Sequence, residues 1–166
     1  NRNFDLDIKN YVSVNFNALV KVIDALGGID IKMTKEEAHW CNLYGAETAR
    51  VIGEHWSDIE EKAGTQHLDG IHGVAYARIR YTSGNDFKRA QRQRIVLEKV
   101  AKKAQKANFI TLNKIVNEVF PMISTSFSSK QILGFAANAL NYNLVSTNGF
   151  PDQKIRRGTR RESAKI

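Results

Sequence analysis

The sequence predicts an α/β layered domain on three observations. The hydrophobic period changes from about two to about 3.6 near residue 15, a glycine pair closes the helical stretch, and a short alternating run follows it directly. Residues 8–14 read as an extended segment with Ile8, Val12 and Val14 on one side. Phe16, Leu19, Val20, Ile23 and Leu26 then fall at helical spacing, with Asn15 as N-cap and Gly27-Gly28 as a left-handed stop. Ile29-Asp-Ile-Lys-Met33 reads as a second strand, which completes a strand–helix–strand unit. The glycine pair ends a helix where a phosphate loop would begin one, so it is read as a terminator.

Residues 34–66 hold Trp40, Tyr44 and Trp56 without a sustained period, and predict a short helix over Lys35–Asn42 followed by an irregular excursion through residues 43–66. That excursion reads either as a lid or as a surface loop whose aromatic side chains tuck into the core. Leu68, Ile71, Val74 and Ala75 predict a helix over Leu68–Arg78. Thr82-Ser-Gly-Asn85 is a turn cluster, and Asp86 is placed to cap a helix that runs to about Lys106. Further helices are predicted near Leu112–Phe120 and Ser129–Asn141, separated by Pro121, the second capped by Ser128 or Ser129. The tail after Pro151 reads as a frayed basic end or a last edge strand. No repeat, low-complexity linker or second domain boundary is present, so residues 1–166 read as a single domain.

Charge is concentrated. The chain carries a net +8, and residues 76–106 alone hold ten Lys and Arg against Asp86 and Glu98, which equals that total. Such an excess points to an anionic partner: nucleic acid, an acidic polymer, a membrane surface or a phosphorylated substrate. No run of about 18 apolar residues exists, so no membrane-spanning helix is predicted, and Asn1–Asp7 lack the basic-then-apolar plan of a secretory signal. The single cysteine, Cys41, excludes an internal disulfide and a thiolate-rich zinc site. Cys41, His39, His55, His67 and His72 include no i, i+4 histidine pair, so packing or surface roles are expected and no metal ligands are assigned among them.

Residues 78–94, RIRYTSGNDFKRAQRQR, crowd five arginines and a lysine around one carboxylate, Asp86. Asp86, Arg89 and Gln93 lie at i, i+3, i+7 on one helical stripe, continued by Leu97, Val100 and Ala104. In the bland reading, Arg89 pairs with Asp86 and the apolar positions fill a core. Arg78 and Arg80 change the balance: a guanidinium is a planar fork that grips two oxygens and stays charged when partly buried. Arginines converging from a helix end, a turn and the next helix N-terminus suit a diphosphate, and clamping it would neutralise charge on a leaving group. The apolar continuation of the stripe, with Phe87, weakly favours a lipid phosphate over a nucleotide.

Three blocks in this order, NFNALVKVIDALGGIDI, HLDGIHGVAYARIRY and GNDFKRAQRQRIVLEKVAKKA, resemble the LytR–CpsA–Psr family of bacterial cell-envelope phosphotransferases. The likeness is best over residues 4–107 and looser to about 150. It implies an extracytoplasmic α/β domain, held at the membrane by an anchor outside this chain, with a hydrophobic pocket for a polyprenyl chain. It implies transfer of an anionic glycopolymer, of wall teichoic acid or capsule type, from polyprenyl pyrophosphate to peptidoglycan with the help of Mg2+. By motif, Arg78, Arg80, Arg89 and Gln93 would bind the pyrophosphate, and Asp86 would orient an arginine or assist the acceptor hydroxyl, which makes Asp86 and Arg89 the catalytic candidates. Phe87, Leu97, Val100 and Ala104 would line the lipid pocket. Arg92 and Arg94 are expected on the helix exterior.

The resemblance also implies an upstream strand region carrying metal-binding carboxylates. A chain without it is expected to expose a sheet edge and to self-associate. Two rival functions stay open at this level: a nucleic-acid-binding transcriptional attenuator, disfavoured by the lack of a helix-turn-helix with a basic recognition helix, and a non-catalytic binder of anionic wall polymers.

Overall fold

A computed structural model describes residues 9–82, 85–128, 130–131, 134–135 and 138, apart from the side chains of Asn85 and Phe109. Its elements in chain order are β1 (Val12–Val14), α1 (Phe16–Ala25), β2 (Ile29–Met33), α2 (Lys35–Ile52), β3 (Gly64–Leu68), α3 (Gly70–Arg78), α4 (Asn85–Lys106) and α5 (Phe109–Val119). A 3-10 turn (Phe120–Met122) and β4 (Ile123–Thr125) complete the described part. The class is mixed α/β, as predicted. Among the described residues the strands form two separate antiparallel pairs, β1 with β4 and β2 with β3, rather than one layered sheet.

The first half follows the predicted logic. Asn15 Oδ1 accepts from Ala18 N at 2.8 Å and caps α1. Gly27 and Gly28, at φ 72° and 76°, turn the chain into β2. In β2, Ile29, Ile31 and Met33 are buried while Asp30 and Lys32 are exposed, the period-two pattern of a strand with one wet face. β3 pairs with it from Ile29↔Leu68 to Met33↔Gly64. This strand is a correction, because Leu68 ends it instead of opening a helix. Asp69 is the N-cap of α3, accepting from His72 N.

α3 is the centre of the molecule. Every residue from Gly70 to Ala77 is buried, and α1, α2 and α4 all pack on it. Gly70 is required there, since a Cβ at this position would fall on the Val20 carbonyl of α1. Ile23, Ile29, Ile31, Leu68, Ala75, Ile79 and Val96 form the main core, with Val20, Ala49, Ile71 and Val74 as a second cluster.

α2 runs 18 residues, well past the predicted end at Asn42. Thr34 and Glu37 form a capping box at its start and Gly53, at φ 74°, ends it. The irregular segment is therefore only 53–63. Its middle is pinned by Asn42, whose amide exchanges two hydrogen bonds with the Ile59 backbone, both 2.9 Å. Tyr44 and Trp56 pack against the core clusters, so the tucked-in alternative describes them better than a lid.

Asp86 lies within the first turn of α4 rather than capping it. At α5, Asn108 is the N-cap and the helix begins three residues before the predicted Leu112. Ser128 N donates to Gln131 Oε1 at 2.9 Å and Ser128 Oγ accepts from Gln131 N, so Ser128 takes the predicted capping position. Ile8, most of the predicted 129–141 helix and the tail after Pro151 lie outside the described residues. Among the described residues no helix is long and apolar enough to cross a membrane.

Candidate functional site

The end of α3, the residues that follow it, the start of α4, one face of α2 and Phe16 of α1 line an open cavity of about 540 Å3. α3 stops at Arg78 because Ile79 turns extended, at φ −51° and ψ 125°, and buries its side chain completely. Arg80 and Tyr81 are consequently exposed, and Thr82 is buried again. Arg89 and Gln93 reach the cavity one and two turns into α4. Arg78, Arg80, Arg89 and Gln93, the four predicted diphosphate ligands, all line it.

Arg78 is the most enclosed of the three arginines, its side chain 19% exposed. Nη1 donates to Thr48 Oγ1 at 2.7 Å and Nη2 to Glu47 Oε1 at 3.0 Å. Its guanidinium carbon lies 4.9 Å from the centre of the Phe16 ring and 5.5 Å from that of Tyr44. Weak hydration lets a guanidinium sit against such rings, where an ammonium would lose more solvation. Asp86 stands at the rim, 3.3 Å from Arg89 Nη2 and 3.9 Å from Arg80 Nε, and so brackets two arginines that arrive from different elements. Glu47 and Asp86 together leave the three arginines a net charge of +1, a local excess suited to an anion.

Two expectations are corrected. Phe87, Leu97, Val100 and Ala104 do not line this cavity. Phe87 and Leu97 are 57% and 58% exposed, and Val100 packs against the main core. The reason is geometric: α4 turns Arg92 and Val96, with Ile95 and Val100 beside them, onto the core, a face offset from the predicted stripe, and Leu97 is left exposed. The apolar wall is instead supplied by Phe16 and by Trp40, Leu43 and Tyr44 on α2, whose i, i+3, i+4 spacing was visible in the sequence but hidden by ending that helix at Asn42.

Arg92 is the second correction, for it is buried and not on the helix exterior. Nε donates to Glu37 Oε1 at 2.9 Å, Nη1 to the Ile79 carbonyl at 3.2 Å, and Nη2 to Thr82 Oγ1. Both ends of the Ile79–Thr82 segment are thereby fastened, and Arg80 and Tyr81 lie between them. Glu37, two residues into the predicted Lys35–Asn42 helix, is the N3 residue of the α2 capping box. Arg94 is half-buried and does not line the cavity.

Among the described residues no group of three or more His, Cys, Asp or Glu side chains is placed to hold a metal ion. Glu47 and Asp86, the carboxylates nearest the cavity, are each engaged by arginine. The described residues do not fit a resident Mg2+.

Residues 1–161 match the LytR_cpsA_psr family. The chain belongs to that family. Among curated proteins it is 32% identical over 111 residues to the polyisoprenyl-teichoic acid–peptidoglycan teichoic acid transferase TagU of Halalkalibacterium halodurans, covering 66% of this chain and 31% of that protein. It is 27% identical over 132 residues to TagU of Enterococcus faecalis, covering 79% and 36%. Among solved structures, a transcriptional regulator of Enterococcus faecalis aligns with a TM-score of 0.57 at 30% identity, over 82% of this chain and 44% of that one. TagT bound to LI-WTA aligns with a TM-score of 0.56 at 20% identity, over 82% and 46%, a likeness of fold. This LytR–CpsA–Psr chain thus spans about a third of the length of these curated relatives and under half of the solved ones.

Proposed function

We propose that this chain carries the diphosphate-binding part of a LytR–CpsA–Psr transferase, which moves an anionic glycopolymer from polyprenyl pyrophosphate onto peptidoglycan at the outer face of the cell membrane. The single observation that carries the reading is the convergence of Arg78, Arg80, Arg89 and Gln93 on one cavity. The names of the TagU relatives support the substrate class.

In this reading an acceptor hydroxyl oxygen attacks the phosphorus that bears the glycopolymer, the P–O–P bridge breaks, and polyprenyl phosphate leaves with the bridging oxygen. Arg78, Arg80 and Arg89 offset the charge that gathers on that oxygen, held in place before the reaction so that little reorganisation is needed. Asp86 holds Arg80 and Arg89 in register. The hydroxyl proton passes to solvent or to a base.

Titration calorimetry with farnesyl diphosphate tests the site. Saturable binding is expected, weakened at least tenfold in Arg78→Ala and in the more exposed Arg80→Ala and unmoved by Lys99→Ala on the far side of α4. Binding of duplex DNA with steep salt dependence, and none of farnesyl diphosphate, would overturn it in favour of a nucleic-acid binder.

A further inference from the structure

Three of the four aromatic rings that line the cavity lie against one another. Tyr81 lies across Trp40 at a centroid separation of 5.0 Å and 34° between planes, and across Tyr44 at 6.3 Å and 26°. Tyr81 is 67% exposed, whereas Trp40 and Tyr44 are half-buried on α2. Next to them, Glu47 is 54% exposed and uses Oε1 to hold Arg78. A carboxylate has about four lone-pair sites, so Glu47 retains acceptor capacity.

A hydrocarbon tail gains most from a slot sealed against water, with apolar side chains on all sides. This wall is of another kind: tilted aromatic faces, an exposed phenol at the mouth and a hydrogen-bond acceptor beside them. A pyranose ring matches it. Its axial C–H bonds form an apolar face that packs on an aromatic ring, and its hydroxyls point sideways, where a carboxylate can accept from them. The cavity volume, about 540 Å3, lies within the roughly 300–1,000 Å3 of small-molecule sites and has room for a diphosphate with one sugar ring.

We propose that Tyr81, backed by Trp40 and Tyr44, is a sugar subsite that stacks the pyranose joined directly to the diphosphate, with Glu47 accepting from one of its hydroxyls. This rests on the diphosphate reading of the arginines. It gives the two sides of the cavity different tasks: the arginines take the phosphates and the α2 side takes the first sugar, while the lipid lies elsewhere. Tyr81 sits next to Arg80 in sequence, so the same short segment presents a cation to the phosphate and a ring to the sugar.

Calorimetry with three probes separates the parts: inorganic pyrophosphate, farnesyl diphosphate, and farnesyl-diphospho-N-acetylglucosamine. The wild-type protein is expected to bind the sugar-bearing probe about tenfold more tightly than farnesyl diphosphate. Tyr81→Ala removes that preference and leaves the other two probes unchanged, while Tyr81→Phe keeps it. Thermal denaturation of each variant reports folding, which substitution of so exposed a side chain leaves intact. If the sugar adds no affinity, or if Tyr81→Ala weakens farnesyl diphosphate and not the sugar increment, the sugar subsite is wrong and the diphosphate reading survives. If Arg78→Ala leaves pyrophosphate binding unchanged, or no probe binds, both fall.

Discussion

Arg92 Nε and Glu37 Oε1 are 2.9 Å apart across the α4–α2 contact, with side chains only 4% and 17% exposed. The same Glu37 closes the α2 capping box by accepting from Thr34 N through Oε2 at 3.0 Å. One carboxylate therefore both starts a helix and neutralises a buried cation. That cation in turn holds the Ile79–Thr82 segment from which Arg80 and Tyr81 project.

Breaking this pair is expected to cost about 3–5 kcal/mol, because the surviving charge stays buried without its partner. Glu37→Gln and Arg92→Ala each lower the urea midpoint accordingly, read by the fluorescence of Trp40 and Trp56. Arg92→Lys does not rescue, since an ammonium cannot span the three acceptors as a fork does. The double change Glu37→Gln with Arg92→Ala loses less than the sum of the two single losses. Full additivity would show that the pair is not coupled.

Asp69 links pH to stability. Burial pushes its carboxyl up, but hydrogen bonds from His72 Nδ1 at 2.8 Å and His72 N at 2.9 Å outweigh that and hold it below the ordinary range. A depressed carboxylate contributes stability above its unfolded value, near pH 4, and loses it as the pH falls through the folded value. Asp69→Asn keeps the cap geometry without the charge, so the stability difference between it and the wild type is expected to shrink from pH 5 toward pH 2. Urea midpoints that run parallel over that range would refute the coupling. Asp69→Ala also loses the α3 cap, about 1 kcal/mol.

Cys41 is expected to be inert in the folded protein. Its thiol is fully buried, lies 3.3 Å from the His72 carbonyl, and is pushed by burial up to about 12. Since the thiolate is the reactive form, Ellman's reagent at pH 8 should release no colour from the native chain and one equivalent in 6 M guanidinium. Rapid reaction of the native thiol would mean that α2 opens from α3.

At the β1–β4 pair, Val12 and the adjoining Tyr11 are more than half exposed and Val14 is nearly half exposed. An apolar strand edge that no described residue pairs is a template for another chain. Concentration-dependent association is expected in sedimentation velocity, and Val12→Lys should shift it toward monomer. Identical sedimentation of the two proteins would assign any association to another surface.

The helical period, the Asn15 cap and the glycine stop marked α1, and β2 was visible to the residue, because each is decided by local backbone chemistry. The stripe Asp86, Arg89, Gln93 was also legible, since three and seven residues along a helix return to one side. α2 was cut short and β3 missed for a shared reason. Gly45 lies within the helix although isolated propensity disfavours it, and it is tolerated because a Cβ there would strike the Trp56 ring. Gly64–Leu68 has little β propensity of its own and becomes a strand through pairing with β2.

By itself the sequence determined the local elements near its start, the family and the arginine-rich segment that meets the cavity, for these depend on residues a few positions apart. Only the tertiary structure decided that Arg92 is buried while Arg80 is not, and that the apolar wall comes from α2 instead of the far end of α4. Both turn on which side of a helix meets which neighbour. That is set by the packing of α3 among α1, α2 and α4, and by the need to give a buried guanidinium an acid within reach, which here comes from 55 residues away.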